Sequence, residues 1–155
     1  MGLDQYLTAK TLVVGGEHAP EGSRTTYDKI ITAVGSPAVR EKTLPTATVS
    51  VSVGYWRKEN AIHKWFVDNV QEGEDNCAEY FVSREGLTEL KELCEKVIAD
   101  HSLADELLPT GSGFFFGSTD YDDWYFTGLQ ETVEIVNTCL SPQYENWEFT
   151  YQSSW

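Results

Sequence analysis

The sequence has no run of about 18 apolar residues and no charged-then-apolar leader at its start, so it predicts neither a membrane-spanning helix nor a secreted protein. Basic residues are also few: 11 Lys and Arg stand against 25 Asp and Glu, which gives a formal net charge of -14. Binding to nucleic acid or to an anionic membrane needs Lys and Arg to meet phosphates. We therefore expect no nucleic-acid partner and no membrane partner.

Cysteine is scarce as well. Cys77, Cys94 and Cys139 lie far apart, are odd in number and form no C-x-x-C pair, so the sequence predicts neither a disulfide framework nor a zinc site. Cys94 and Cys139 stand among apolar residues at helical spacing, where a buried thiol acts as a small hydrophobic group. His18 is a single loop histidine with no second metal ligand near it in sequence. We expect reduced thiols, a cytoplasmic protein, and no metal or cofactor.

Aromatic side chains, in contrast, are abundant: the 155 residues include five Trp, eight Tyr and seven Phe. A chain of this length fits a single domain that buries about two-thirds of its unfolded surface. Aromatic side chains are good core residues, and some also line pockets or interfaces, so each ring has two interpretations. Exposed rings on a small protein are also compatible with a homo-oligomer.

The periodicity of apolar residues predicts an α+β fold. Alternation over 46–53 marks the clearest strand, and other strands are predicted at 1–7 with 12–14, 28–34, 78–83, 114–118 and 147–152. Helical spacing predicts helices over 62–70, from a cap at Ser83 to residue 97, and from an aspartate at 120, 122 or 123 to residue 140. We expect one domain, residues 1–155, with a mainly antiparallel sheet of about five strands packed against about three helices.

The segment 54–70, GYWRKENAIHKWFVDNV, gathers basic and aromatic residues in an acidic chain. Arg57, Lys58 and Asn60 come at the predicted start of a helix, where unsatisfied backbone N–H groups favour an anion. Rings and donors presented together at a strand end are typical of a pocket for a phosphate or a carboxylate. Alternatively, Arg57 and Lys58 pair with surface acids, and the later half of the segment fits a buried helix face.

A second unusual stretch is 109–120, PTGSGFFFGSTD, in which glycines flank three phenylalanines. Glycine lets the backbone come close to another strand or to a ligand. The stretch lacks the lysine of a P-loop and the strand-to-helix spacing of a dinucleotide-binding motif, so it is a weak phosphate motif. The acids that follow could hold a metal, but capping of a helix N-terminus already explains them.

Four motifs carry a resemblance to a family of small bacteriophage and prophage proteins: the MGLDxYL start, GYWRKxNAIHKWFVxNV, LLPTxSGFFFGSTDYDxWY and the YQSSW end. The likeness runs through residues 2–7 and 54–155, whereas 10–52 departs from the shorter members and is expected to be a loop-rich embellishment. The resemblance brings no established enzyme activity. It implies a phage-encoded protein that acts in the cytoplasm of the infected bacterium.

The favoured function is that of a phage accessory protein that binds a small nucleotide-derived ligand. By analogy with phage proteins that counter host defence, it would sequester an immune signal without catalysis. Aromatic rings would stack a base, and basic side chains would hold phosphates or ribose. Candidate ligand-binding residues are Tyr55, Trp56, Arg57, Lys58, Asn60, His63, Phe115, Ser118, Tyr121, Trp124, Tyr151 and Trp155.

Two alternatives stay open. One is a small phage hydrolase that acts on such a ligand, with His63 as general base and Asp4 or Asp122 as its partner. The other is an acidic inhibitor that binds a host protein, for example by imitating the charge of DNA. No motif gives the identity of the ligand.

Overall fold

A computed structural model of the chain describes residues 2–37 and 44–155. The chain divides into two compact units, and the boundaries fall within two strands. The first unit consists of Met1–Ala9 and Ser52–Trp155, and the second consists of Lys10–Val51.

The described residues contain four β-strands in one antiparallel sheet: β1 Asp4–Val14, β2 Thr46–Arg57, β3 Tyr80–Val82 and β4 Glu148–Ser154. Their order across the sheet is β2-β1-β4-β3. Strand β3 pairs with β4 so that Tyr80 lies opposite Tyr151 and Val82 opposite Phe149. The predicted α+β class and the antiparallel sheet are confirmed, with four strands rather than five.

Five α-helices occur in the same described ranges, rather than the three that were predicted: α1 Glu21–Ala33, α2 Asn60–Asn69, α3 Arg84–Ala99, α4 Ala104–Leu107 and α5 Asp123–Leu140. The predicted caps of the two longest helices are confirmed. The Ser83 hydroxyl accepts the N–H of Gly86 at the start of α3, and the Asp122 carboxylate accepts the N–H of Tyr125 at the start of α5.

The strand predicted at 28–34 is wrong, because these residues form the second half of α1 and the turn after it. Tyr27, Ile30 and Ile31 are typical strand residues by type, but they follow the i, i+3, i+4 spacing of one helix face. Tyr27 is buried and the two isoleucines are half-buried. In this case the spacing, rather than the β-branched side chains, decides the local structure.

The predicted strand at 114–118 is also wrong, because residues 114–116 form a turn in which the N–H of Phe116 donates to the carbonyl of Gly113 at 3.1 Å, and 117–118 do not belong to a strand. Gly117 continues the turn with a φ of 92°, a conformation that only glycine adopts without strain. Phe114 is 94% exposed. The flanking glycines therefore allow a turn here, and the three phenylalanines do not form a strand.

In the first unit, alternate residues of the strands are buried beneath the helices. On β4, Phe149, Tyr151 and Ser153 are buried whereas Glu148 and Gln152 are exposed, as the predicted alternation requires. The main apolar core joins these strands to α2, α3 and α5, which contribute among others Ile62, Phe66, Leu87, Leu90, Cys94, Val97, Leu129, Val136 and Cys139.

All three cysteines lie in the described residues and are free thiols. Burial raises the pKa of Cys94 to about 12 and that of Cys139 to about 11. Both thiols are therefore protonated at neutral pH and act as small apolar groups, as predicted. Among the described helices, none has both the length and the apolar character needed to cross a membrane.

The second unit contains α1 together with the end of β1 and the start of β2. The Ser23 hydroxyl ties α1 to β1, since it donates to the carbonyl of Val14 at 2.7 Å and accepts the N–H of the same residue. The ring of Tyr27 covers Gly15 so closely that a Cβ there would lie 2.3 Å from it. Helix α1 thus gives regular structure to a segment that was predicted to be rich in loops.

Candidate functional site: a cleft at the start of helix α2

The candidate site lies where β2 ends and α2 begins, and the backbone there turns within two residues. Lys58 has a φ of 60°, a left-handed conformation that is uncommon for a residue with a side chain. Its N–H donates to the carbonyl of Leu3 at 2.8 Å, and the N–H of Asn60 donates to the carbonyl of Lys58 at 2.9 Å. Glu59, between them, has the φ of -78° and ψ of 73° of an inverse γ-turn. This turn sends the side chains of Lys58 and Glu59 to different neighbours.

Asn60 holds the glycine-rich loop, residues 109–120, in place beside the turn. Its side-chain N–H₂ donates to the carbonyls of Phe116 and Ser118 at 3.1 and 2.6 Å, and its side-chain oxygen accepts the N–H of Gly111 at 3.1 Å. The residue is 4% exposed. Both amide N–H groups are thus engaged by the loop, so Asn60 positions the wall of the site instead of offering donors to a ligand.

Between the turn, the loop and the start of α5 lies a cleft of about 390 Å³, which we call the Glu59 cleft. Such a volume suits a small organic ligand. It is lined by Arg57, Lys58, Glu59, Asn60, Ala61, Thr110, Gly117, Ser118, Asp120, Asp122, Trp124 and Tyr125. Five of the predicted ligand-binding residues, Arg57, Lys58, Asn60, Ser118 and Trp124, meet in it.

The two cations of the cleft are available to a ligand. Arg57 and Lys58 are exposed, and neither forms an ion pair or a side-chain hydrogen bond with any residue of the described ranges. The stem of Lys58 packs along Gly117, where a Cβ would lie 3.1 Å from that of the lysine. The alternative that both cations pair with surface acids therefore finds no support among these residues.

Glu59 turns the other way, onto helix α5. It is 8% exposed, and its carboxyl group lies so close to Gly128 that a Cβ there would be 2.2 Å from a carboxyl oxygen. Burial raises the pKa of Glu59 to about 7, and the nearby charges of Glu131 and Asp122 also raise it, whereas a hydrogen bond from Trp124 lowers it. A carboxyl group with such a pKa changes its proton occupancy near neutral pH.

Trp124 presents a ring at the edge of this cleft. The residue is 66% exposed although it follows the cap of α5 by only two positions, and its indole lies near enough to the Glu59 carboxyl group to lower the pKa of that group. Tyr125, the next residue, is buried and donates its hydroxyl to the carbonyl of Leu108 at 2.8 Å. One ring of this pair therefore packs in the protein while the other remains open to a ligand.

The other predicted residues lie outside the cleft lining. Trp56 is 2% exposed in the core, where its indole N–H donates to the Thr132 hydroxyl at 2.9 Å. Tyr55 is exposed and donates to the Asp4 carboxylate. Phe115 uses its carbonyl to accept the N–H of Leu3, and Tyr121 donates to Asp105. Trp155 donates its indole N–H to Asp75 at 3.0 Å, with its ring edge near Phe116.

His63 and Tyr151 belong to a buried hydrogen-bonded chain that runs across the core. Gln5 donates to the carbonyl of Glu59 at 3.1 Å and accepts the Tyr151 hydroxyl at 3.0 Å. His63 Nδ1 lies 2.8 Å from that hydroxyl, and its Nε2 lies 3.1 Å from Asp75. Both ring nitrogens of His63 therefore lie within hydrogen-bond distance of a protein partner.

The hydrogen bonds of His63 do not match the predicted hydrolase arrangement, in which Asp4 or Asp122 is its partner. His63 is 2% exposed and is bonded to Asp75, whereas Asp4 is bonded to Tyr55 and Asp122 caps α5. Neither predicted acid is therefore the hydrogen-bond partner of His63. The ring of His63 lines a separate recess, together with Asp75 and Phe116, and does not line the Glu59 cleft.

Glu59 was not among the predicted ligand-binding residues, and its role depends on residues that are distant in sequence. Its burial comes from Gly128 and Trp124 on α5, more than 60 positions along the chain. The signal that was available is an acid between Lys58 and Asn60 in the basic and aromatic block of 54–70, whose second acid, Asp68, comes near the end of α2. Asp120 and Thr110 also line the cleft and were not named as ligand-binding residues.

No group of three or more His, Cys, Asp or Glu within 2–37 and 44–155 has the geometry to hold a metal ion. Comparison of the chain with protein-family models, with curated proteins and with solved structures found no match. The interpretation of the cleft therefore depends on its own chemistry. It offers an open aromatic ring, two cations that have no ion-pair partner within 2–37 and 44–155, and a buried carboxyl group.

Replacing Asn60 by alanine is expected to release the loop that forms one wall of the cleft. The loss of three hydrogen bonds at a buried position should lower the free energy of unfolding by about 2 kcal/mol. Limited proteolysis of the folded variant should show faster cleavage within 110–120. The matched control is Asn69→Ala in the same helix, because Asn69 is exposed and bonds only to Trp65. Equal proteolysis rates for both variants would contradict the role given to Asn60.

Proposed function

We propose that this protein binds a small nucleotide-derived ligand in the Glu59 cleft and holds it without cleaving it. The observation that carries the proposal is the convergence of Trp124, Arg57, Lys58 and Glu59 on one recess of about 390 Å³. A nucleotide has a planar ring, a polar ring edge and an anionic phosphate. Each of these parts has a matching group in the cleft.

The ring of the ligand stacks on Trp124. An exposed indole beside a polar recess is a suitable platform, because base–aromatic stacking contributes about 1–3 kcal/mol. Trp124 is held at the first turn of α5, next to the buried Tyr125, so the platform has a fixed position. The aromatic residues elsewhere in the predicted set are engaged in the core or with other partners.

The phosphate of the ligand is held by Arg57 and Lys58. We expect Arg57→Gln and Lys58→Gln each to weaken nucleotide binding about tenfold, since each removes one charge-assisted contact. Wild-type affinity should also fall as salt rises, because both cations are exposed. The measurement is titration calorimetry, with Lys96→Gln as the matched control on the exposed side of α3. If all three variants bind as the wild type does, the phosphate site lies elsewhere.

A second candidate function is favoured by the pKa of Glu59. A carboxyl group that titrates at about 7 meets the requirement for general acid or base catalysis at neutral pH, so a hydrolase that uses Glu59 is the competing account. The fate of the ligand separates the two functions. Intact nucleotide recovered after long incubation supports binding alone, whereas stoichiometric release of nucleoside or phosphate, absent in Glu59→Gln, supports hydrolysis.

In its biological setting, the protein is a phage accessory protein that acts in the host cytoplasm and sequesters a nucleotide-derived immune signal. A ligand held without turnover is removed from its receptor in proportion to the amount of protein, which is what sequestration requires. Homo-oligomers and binding to a host protein through the acidic surface remain separate proposals. The test is titration of the folded protein with guanine and adenine mononucleotides, cyclic nucleotides and cyclic ADP-ribose, and binding of none of them would reject the proposal.

A further inference from the structure

We infer that the Glu59 cleft selects a guanine-type ring, whose adjacent N–H donors are accepted by the Glu59 carboxylate. This inference rests on the proposed function, since it names the class of nucleotide that the same cleft takes. The inference is supported by the position of one buried carboxyl group, by the groups that surround this carboxyl group and by the charges near it.

The carboxyl group has a fixed position with acceptor capacity to spare. The backbone carbonyl of Glu59 is held by Gln5, and the side chain lies against the bare backbone of Gly128. Within the described residues, the Trp124 indole is the one side-chain donor that acts on the pKa of this carboxyl group, and no side chain there forms a hydrogen bond of ordinary geometry with its oxygens. Two carboxylate oxygens offer about four acceptor sites, so a ligand in the cleft finds vacant acceptors beside the ring that stacks on Trp124.

Guanine is the common base whose edge matches these acceptors. Its ring N–H and its exocyclic amino group stand side by side, so two parallel hydrogen bonds can run to one carboxylate. Adenine presents an amino group beside a bare ring nitrogen, and that lone pair would face the carboxylate oxygen without a hydrogen between them. A site that pairs with both N–H groups therefore discriminates against a ring that lacks one of them.

The charges around the cleft differ between its two ends. Glu131 and Asp122 on the α5 side add negative potential at Glu59, which favours N–H donors there and disfavours a phosphate. Arg57 and Lys58 precede Glu59 in the turn, and Lys58 runs along the loop at Gly117. The ligand thus binds with its ring edge toward α5 and its phosphate toward the cations.

The same groups make the selection depend on pH. The titratable and charged groups that line the cleft or act on Glu59 are Arg57, Lys58, Asp120, Asp122, Tyr125 and Glu131. Above about pH 7 the carboxylate accepts both guanine donors, and below it a proton occupies one oxygen and turns an acceptor into a donor. Acidification should therefore weaken binding of GMP and reduce its advantage over AMP.

The test is calorimetric titration of the wild type, Glu59→Gln and Glu131→Gln with GMP, IMP and AMP, across the range from acid to mildly alkaline pH. In the wild type above neutral pH we expect GMP to bind at least about tenfold more tightly than AMP, with IMP, which lacks the amino group, between them. Glu59→Gln should abolish this preference. Glu131→Gln should keep it but move the midpoint of its pH dependence lower, because one charge that raises the pKa of Glu59 is removed.

Two failures can be told apart. Equal affinities for GMP and AMP in the wild type, or an unchanged preference in Glu59→Gln, would overturn the guanine assignment and leave nucleotide binding in place. Absence of binding by all three nucleotides to protein with a native circular dichroism spectrum would overturn the proposed function together with the assignment.

Discussion

Replacing Glu59 by glutamine is expected to stabilise the folded protein above neutral pH by as much as about 3 kcal/mol, although it removes the charge on which ligand recognition depends. The reason is the burial that raises the pKa of this carboxyl group from 4.5 to about 7. An ionised carboxylate in that position pays the desolvation cost of a charge, which a neutral amide of the same shape avoids. The measurement is urea unfolding of both proteins near pH 5 and near pH 8.

The sign of the pH dependence follows from the protons bound in each state. Between about pH 4.5 and 7, folded Glu59 retains a proton that the unfolded chain has lost, so the folded state binds more protons and wild-type stability falls as pH rises. Above about pH 7 the penalty is complete. The advantage of Glu59→Gln should therefore be small near pH 5 and should grow to its full size by pH 8.

The matched control is Glu92→Gln, which changes an exposed glutamate on α3 and should leave the free energy of unfolding within about 0.5 kcal/mol of the wild type at both pH values. If Glu59→Gln were no more stable than the wild type at pH 8, the carboxyl group would not be held in the cleft wall as described. A more stable variant that no longer distinguishes GMP from AMP would mark Glu59 as a residue whose contribution is to binding and not to folding.

Replacing Tyr151 by phenylalanine is expected to lower the free energy of unfolding by about 2–4 kcal/mol, which is large for the loss of one oxygen atom. The hydroxyl group is the partner of both Gln5 and His63 in the buried chain. Without it, two buried polar groups lose their hydrogen bonds while the ring still stacks on Phe66, 3.8 Å away. Thermal and urea unfolding would measure the loss.

Tyr80→Phe is the matched control, because Tyr80 lies opposite Tyr151 in the β3–β4 pairing and, within the described residues, its hydroxyl bonds to the exposed Asn76 alone. It should cost less than about 1 kcal/mol. Nucleotide affinity of the folded Tyr151→Phe protein should match that of the wild type. Strongly weakened binding with little loss of stability would instead place Tyr151 in contact with the ligand, as the sequence alone had suggested.

Elements with a strong local pattern were predicted from the sequence. The alternation in β2 and β4 and the apolar stripes of α3 and α5 repeat often enough to identify each element without its neighbours. Helix α1 was missed because its few apolar residues are strand formers by type. The turn at 114–116 was taken for a strand because three phenylalanines suggest a strand when the positive φ of Gly117 is not known.

The candidate site was predicted in part, for a related reason. Strand β2 ends at Arg57, and Lys58 follows it. The position of these two residues just before a helix could therefore be predicted from the neighbouring sequence alone. Residue type alone cannot distinguish the two tryptophans. Trp56 is buried and donates its indole N–H to Thr132, whereas Trp124 is exposed at the cleft. The burial of Glu59 could be found only from the tertiary structure, since residues of α5 surround its carboxyl group.

The most direct test of the proposed binding is equilibrium dialysis of the folded protein against an equimolar mixture of GMP and AMP near pH 8, followed by chromatography of the nucleotide released on denaturation. We predict that nucleotide is retained with the protein, that GMP is enriched over AMP, and that both are recovered unchanged. Retention of neither nucleotide, or recovery of the bound fraction as nucleoside, would contradict a cleft that holds a nucleotide intact.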